Sequence, residues 1–346
     1  MKLFITGAGG FLGQHVAAEA LQRGHSVRAL LRPASKSIPE TWKNHPAIEI
    51  VRSDLRNKSG LREIISGCDS VIHLAAVKSG DLYEQFGGTV ISTENLLATM
   101  EGVGISRLVL ISSFSVYEYM RRRSWSTIDE SSPLARDPLK RDEYCQTKMI
   151  QEKISLECAE RNNWRCMVLR PGVIYGRENL WTARLGSQSG TKRWISIGSH
   201  APLPLTYVEN CAAAILLAAE YNGSEKIHIL NVVDGKNPSQ RSYISFLKKH
   251  MSENPRVIPI PWLLMRFLAC MAGLFNSLFL RGKGKLPGLL IPERLHARCK
   301  PLRYSNRRIV LTLGWAPRYT WKEGVLRSLD EAEVTMETAS KTESLQ

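Results

Sequence analysis

Short apolar runs alternate with amphipathic stretches from residue 1 to about residue 230, and that alternation predicts parallel strands covered by helices on both faces. The strand candidates are Lys2–Thr6, Ser26–Leu31, Ile48–Val51, Ser70–Leu74, Arg107–Ser112 and Arg165–Leu169. Helix candidates fill the gaps at Gly10–Gln22, Leu61–Ile65, Thr93–Glu101, Tyr144–Arg161 and Glu209–Tyr221. The expected architecture is an α/β doubly wound parallel sheet with a smaller C-terminal lobe. It divides the chain into a main region at 1–175 and a mixed region at 176–330, which adds a last sheet element and the lobe. A polar tail at 331–346 is expected to be frayed or disordered.

Residues 257–280 break this pattern. Trp262 to Phe275 reads as a strongly apolar helix continuing to Leu280, close to membrane-span length but interrupted by Arg266, Asn276 and Ser277. Behind it, Arg281 to Arg308 carries nine lysines or arginines against one acid, Glu293. Two placements fit. In one, the segment 257–308 contacts an anionic membrane peripherally, helix first and polybasic flank second. In the other, the helix covers an apolar pocket in the lobe.

Composition narrows the function classes. With 346 residues, 43% apolar and 23% charged, the chain can bury a substantial core. The net charge of +15 invites a nucleic-acid reading. No helix-turn-helix, zinc-finger or RNA-binding signature accompanies it, so no specific nucleic-acid partner is expected. The seven cysteines include no CxxC pair and no metal-type clustering, which fits inert thiols in a reducing compartment and no bound metal. The chain opens directly into a strand pattern, so a cytoplasmic location is expected, with a membrane-peripheral one as the variant.

Thr6-Gly7-Ala8-Gly9-Gly10-Phe11-Leu12-Gly13 lies between the first strand and the first helix. Glycines there permit a sharp turn and let the backbone approach a pyrophosphate, while the helix N-terminus faces it with its positive end. Strand before and helix after supply the context that a glycine loop needs, and the expected fold is therefore of Rossmann type. About 20 residues on, an acid would bind the ribose 2′-hydroxyl of NAD. The sequence has Arg28-Ala29-Leu30-Leu31-Arg32-Pro33 instead. Arg32 suits a 2′-phosphate, so NADP(H) is favoured over NAD(H); the plainer alternative is a surface arginine after a strand.

Tyr144-Cys145-Gln146-Thr147-Lys148 puts Tyr144 and Lys148 on one helix face. A nearby ammonium stabilises a phenolate and would draw the tyrosine towards working pH. Such a tyrosine gives or takes a proton as hydride arrives or leaves. The strand Leu108-Val109-Leu110-Ile111 ends in Ser112-Ser113, and Ser113 is positioned to hydrogen-bond a substrate oxygen beside Tyr144.

Taken in that order, these motifs resemble the extended short-chain dehydrogenase/reductase family over nearly the whole chain. The loop is similar to that family's TGxxGxxG, and Ser53-Asp54-Leu55 to its adenine-contacting Asp-Leu. His73-Leu74-Ala75-Ala76 resembles its HxAA strand end, and Thr93-Glu94-Asn95-Leu96-Leu97 its GTxNLL helix. Ser113 falls four residues before Tyr117, where the family has its catalytic serine. Arg170-Pro171-Gly172-Val173-Ile174-Tyr175-Gly176 looks like the RPxxxYG segment bordering nicotinamide and substrate, and Leu313-Gly314-Trp315-Ala316-Pro317 like a C-terminal LGWxP. The resemblance implies that Ser113, Tyr144 and Lys148 carry catalysis and that Lys148 also holds the nicotinamide ribose. It implies a dinucleotide site built from Gly7, Gly10, Phe11, Leu12, Gly13, Arg32, Asp54, Leu55, Leu74, Ala75, Ala76, Tyr144, Lys148, Pro171 and Val173. It also allows a homodimer through paired helices.

Departures from the family pattern narrow the branch. Phe114 and Ser115 follow the serine where sugar dehydratases carry Asp-Glu, and Val173 stands where sugar epimerases often carry Asn. Thr89 takes the place of an Asn that commonly precedes the GT pair. The stretch Val27 to Pro33 resembles dihydroflavonol-4-reductase-like NADP enzymes, and the apolar helix the 3β-hydroxysteroid dehydrogenase-like branch. The expectation is an oxidoreductase moving hydride between NADP(H) and a carbonyl or secondary alcohol of a fairly apolar small molecule. A sugar epimerase and a non-catalytic NADP-sensing module are the alternatives. His73 is expected to be structural or cofactor-adjacent, Cys145 to be packing, and Glu209-Asn210 to cap a helix. Trp181, Arg184 and Arg193-Trp194 fall in the substrate region without an assignment.

Overall fold

The computed structural model describes residues 1–330 apart from 36–37, 178, 190–192, 252–254, 280, 282 and 285. Leu280 and the tail 331–346 lie outside the described residues. Seven strands form the central sheet: β1 (Lys2–Thr6), β2 (Ser26–Leu31), β3 (Ile48–Arg52), β4 (Ser70–His73), β5 (Arg107–Ile111), β6 (Arg165–Pro171) and β7 (Ile227–Val232). All pairings are parallel, and the order is β7-β6-β5-β4-β1-β2-β3. The order reverses between β1 and β4, which opens a crevice beyond their carboxyl ends. Thr6 is in register with Leu30 on one side and His73 on the other, so three strand ends meet at one level.

The six expected strands are all present; Lys2–Thr6 and Ser26–Leu31 match at both ends, and the other four differ by one or two residues at their C-terminal ends, as is usual where ladders fray. The last sheet element is β7, at the edge beside β6. Helices cover both faces. On one, α1 (Phe11–Gln22) and the very apolar helix Val208–Glu220 pack on Leu3, Ile5, Val109 and Leu169. On the other, α2 (Ser92–Val103) and α3 (Glu143–Arg161) lie over Phe4, Val71, Leu108 and Val168. Alternate residues of each strand thus enter opposite cores, as the period of two requires.

Beyond β6, the chain builds a separate apolar cluster around Tyr175, Trp194, Leu205, Tyr207 and Tyr243. Its ladders are Val173–Tyr175 on Leu205–Tyr207, and Arg193–Ile197 between 186–189 and Arg256–Ile260. α4 (Trp262–Phe279) follows, packed along one side on α5 (Pro292–Cys299). Within α4 only Met265 and Ala269 are buried, which is not the burial of a helix closing over an apolar pocket. The chain then returns to the sheet, where Trp315 is buried and its indole N–H donates to Asn210 O at 3.2 Å.

Candidate active site

The crevice at the switch point is a cleft of about 1170 Å³. Gly7, Gly10, Phe11, Leu12, Gly13, Arg32, Asp54, Leu55, Leu74, Ala75, Ala76, Ser113, Tyr144, Lys148, Pro171 and Val173 all line it. Residues separated by up to 166 positions are brought together because most sit at or just beyond a strand's carboxyl end, while Tyr144 and Lys148 come from the first turns of α3.

The glycine loop turns at Gly7, whose φ of 68° suits a residue without Cβ, and a Cβ there would lie 3.0 Å from Ala75 N. Gly13 is needed for close approach, since a Cβ would sit 2.2 Å from Gly7 O. Gly10 caps α1 without a side-chain acceptor, and Phe11, Leu12 and Gly13 of the first turn line the cleft. The wall opposite is set by Asn95 of α2, whose amide donates to Leu55 O (2.9 Å) and Arg56 O (3.1 Å). Asp54 faces the cleft, but its carboxylate is gripped by Arg56 at 2.5–3.0 Å and held below the usual carboxylate range by that guanidinium.

Arg32 is exposed at the rim beyond β2. The loop behind it is fixed by Arg52, whose guanidinium donates to Ser35 O at 2.7 Å and more weakly to Arg32 O and Pro33 O. Ser35 lines the cleft near Gly9, as do Arg56 and Lys78. The sequence reading missed these three. A polar residue just past a strand that ends at the crevice was the signal available for Ser35.

Three side chains, those of Asp142, Arg141 and Cys145, fix the reacting end. Asp142 caps α3 by accepting from Cys145 N at 2.9 Å, which sets Tyr144 in the first turn. Arg141 donates to Tyr117 O (3.1 Å) and Ser115 O (3.0 Å), and Cys145 Sγ donates to Ser115 O at 3.1 Å. The turn that starts at Ser113 is thereby tied to the start of α3, which sets Ser113 beside the Tyr144 phenol in the cleft. Cys145 is buried packing, as expected, with its thiol pushed up to about 11 by burial.

Lys148 corrects one expectation. Its ammonium donates to Ile111 O at 2.6 Å and Gln151 Oε1 at 2.8 Å, and neither bond goes to the phenol. Burial, with the charge of Lys78 adding to it, pushes Lys148 down to about 7. Burial pushes the Tyr144 phenol up to about 12, against the pull of Ser113. Desolvation of the phenolate outweighs the attraction that spacing alone suggested.

Gln151 also escaped the sequence reading. Its amide donates to Thr93 Oγ1 at 2.9 Å and lies 3.2 Å from His73 Nε2. His73 spans Thr6 Oγ1 (2.7 Å) and Thr93 Oγ1 (2.9 Å), and burial keeps it neutral with a pKa of about 3. A buried polar chain therefore runs from β1 through His73, Thr93 and Gln151 to Lys148. The only signal for Gln151 was a polar side chain three residues after Lys148 on a helix face turned to the core.

At the far end, Asn179, Trp181, Thr182, Arg184 and Arg298 line the cleft. Arg184 donates to the hydroxyls of Tyr304 and Tyr119, both at 3.0 Å. Trp194 is buried behind Trp181, with ring centroids 4.3 Å apart, and neither Arg193 nor Trp194 reaches the cleft. Glu209 pairs with Arg327, and Asn210 is locked by Asp234 and Tyr319, so this pair braces the C-terminal segment.

The profile of the NAD dependent epimerase/dehydratase family matches residues 3–232. Among relatives, the 4-hydroxy-2-methyl-3-oxo-4-farnesyl-3,4-dihydroquinoline-1-oxide ketoreductase of Stigmatella aurantiaca is 29% identical over 331 residues, spanning 94% of this chain and 95% of its own. The decarboxylating sterol-4-alpha-carboxylate 3-dehydrogenase of Dictyostelium discoideum is 26% identical over 337 residues, spanning 94% and 98%. Among solved structures, Pal from Bacillus thuringiensis superposes with a TM-score of 0.73 at 18% identity over 97% of this chain and all of its own. MoeE5 in complex with UDP-glucuronic acid and NAD gives 0.72 at 20% identity with the same coverage. At that identity these two likenesses establish the fold alone.

Proposed function

The chain belongs to the NAD dependent epimerase/dehydratase family, and from that premise we propose that it moves hydride between NADP(H) and a carbonyl or secondary alcohol of a fairly apolar small molecule. The observation that carries this reading is the convergence of Ser113, Tyr144, Lys148 and the glycine loop on one cleft at the switch point. The free first-turn N–H groups of α1 suit the pyrophosphate. Arg32, with Ser35 on the same loop, suits a 2′-phosphate, and no acid follows β2 to favour a bare ribose hydroxyl.

When bound, the nicotinamide supplies or accepts hydride at its C4 position. The protein's part is proton handling and orientation. Ser113 hydrogen-bonds the substrate oxygen, and Tyr144 delivers the proton to it in reduction or takes it in oxidation. Lys148, anchored by Ile111 O and Gln151, would hold the nicotinamide ribose with its remaining N–H. Pro171 and Val173 line the cleft where they would flank the ring, and the Val173 side chain offers no hydrogen bond to a sugar diphosphate.

The substrate class rests on the ketoreductase and sterol dehydrogenase likenesses, both proteins named for action on molecules with a large apolar body. Calorimetry with NADPH and NADH, followed by a panel of apolar ketones monitored by nicotinamide absorbance, tests the reading. NADPH is expected to bind at least about tenfold tighter, and Arg32→Ala to erase most of that preference, the cost of about one charge-assisted contact. Stoichiometric cofactor oxidation by a ketone is expected. A substrate that is interconverted with no cofactor released would replace this reading with epimerisation.

A further inference from the structure

α4 carries its hydrophobicity on the wrong side for a soluble helix. The side turned to the protein holds Trp262, Met265, Ala269 and Asn276, and of these Met265 and Ala269 pack on Leu295 and Cys299 of α5. Trp262 meets the His296 ring at 5.0 Å, and the Asn276 amide exchanges hydrogen bonds with Gly284. At 3.6 residues per turn, the opposite side presents Leu263, Phe267, Met271, Leu274 and Leu278. Their exposures are 71%, 60%, 46%, 52% and 66%. Single exposed leucines are ordinary, but a contiguous helix face of this kind marks a surface that something covers.

The margin of that face is polar and positive. Arg266 and Ser277 fall between the packed side and the apolar side, and Arg281 and Lys283 follow the helix, with no acid before Glu293. We propose that α4 lies in the interface of an anionic membrane, its outer face immersed among the acyl chains and its basic margin at the headgroups. Length and mean hydropathy of 1.5 would also suit a span. Spanning, however, would strip Met265 and Ala269 from α5 and carry Arg266 and Asn276 into hydrocarbon. A second copy is the poorer occupant. Joined through this face, two chains of net charge +15 would bring the same basic margin together, whereas anionic lipid neutralises it.

The docking has a consequence for the cleft. α5, which supports α4, also supplies Arg298 to the cleft's far end, so the bilayer would lie beside the entrance for an apolar substrate. That consequence rests on the proposed function, while the docking does not.

Flotation of the full chain with vesicles of phosphatidylcholine, alone or with one-third phosphatidylserine, separates the outcomes. The protein is expected to rise with the anionic vesicles at least tenfold more than with the neutral ones. The combined variant Phe267→Glu, Leu274→Glu and Leu278→Glu is expected to stay at the bottom with its melting temperature unchanged. Arg281→Glu with Lys283→Glu, which leaves the helix intact, is expected to lose the preference for anionic vesicles. Failure of the wild-type chain to rise with either vesicle would overturn the proposal. So would a dimer in light scattering that the triple variant dissociates, since a second copy would then cover the face. NADPH binding in the triple variant, expected to match wild type, keeps the result separate from any failure of the catalytic reading.

Discussion

Burial pushes the Tyr144 phenol up to about 12, so it carries its proton at neutral pH and is set to donate it to a carbonyl oxygen. Replacing it with Phe removes the proton and little else, because the ring still fills the space beside Ser113. Turnover of Tyr144→Phe is expected to fall by about 100-fold or more, while the NADPH affinity read by calorimetry stays within a few-fold. Lys148 gives the pH dependence. Its depressed pKa of about 7 means that the free enzyme carries the ammonium below neutrality and loses it above. The ammonium is the form attracted to a dinucleotide. Hence kcat/KM for NADPH, which reports free-enzyme ionisations, is expected to fall as pH rises through about 7. Lys148→Met should flatten that limb; a wild-type profile level from pH 6 to 9 would contradict the assignment.

Between elements, the strongest constraint is the buried pair of Glu152 on α3 and Arg170 at the end of β6, both side chains 4% exposed. Arg170 also lies 4.9 Å from the Tyr117 ring centroid. The pair aligns the helix that carries Tyr144 and Lys148 with the strand that leads into Pro171 and Val173. Removing one partner strands a charge in the core, so Glu152→Ala is expected to cost about 3–5 kcal/mol in denaturant unfolding. Replacing both partners with apolar residues should cost much less. The alternation of apolar runs made the sheet legible, because strands buried on both faces read as continuous β-branched and leucine stretches. The glycine loop and the Tyr–Lys spacing made most of the cleft legible, since each is a local pattern whose geometry follows from the element holding it. What stayed hidden depends on partners distant in sequence. Gln151 is defined by Thr93 and Lys148, Ser35 by Gly9, and the upward shift of the Tyr144 phenol by burial that no spacing reveals.

Over the whole molecule, the C-terminal segment decides whether the sheet and the outer cluster unfold together. It returns after α5 and fastens to both. Arg318 pairs with Glu19 of α1 at 2.5–2.8 Å, Trp315 donates to Asn210 O, and Tyr175 of the outer cluster donates to Trp321 O at 3.1 Å. Arg327 reaches Glu209 at 3.0 Å. With these ties the two clusters share one boundary, and a single calorimetric transition is expected, its van't Hoff and calorimetric enthalpies in agreement. Trp315→Ala opens a cavity in the sheet's core where the C-terminal segment fastens and is expected to lower stability by about 3–5 kcal/mol. NADPH at a hundred times its dissociation constant should add about 2.7 kcal/mol to the same transition, because the cleft draws residues from both clusters. Two resolved transitions in the wild-type chain, only one of them moved by NADPH, would mean that the sheet melts apart from the outer cluster and that the C-terminal ties do not couple them.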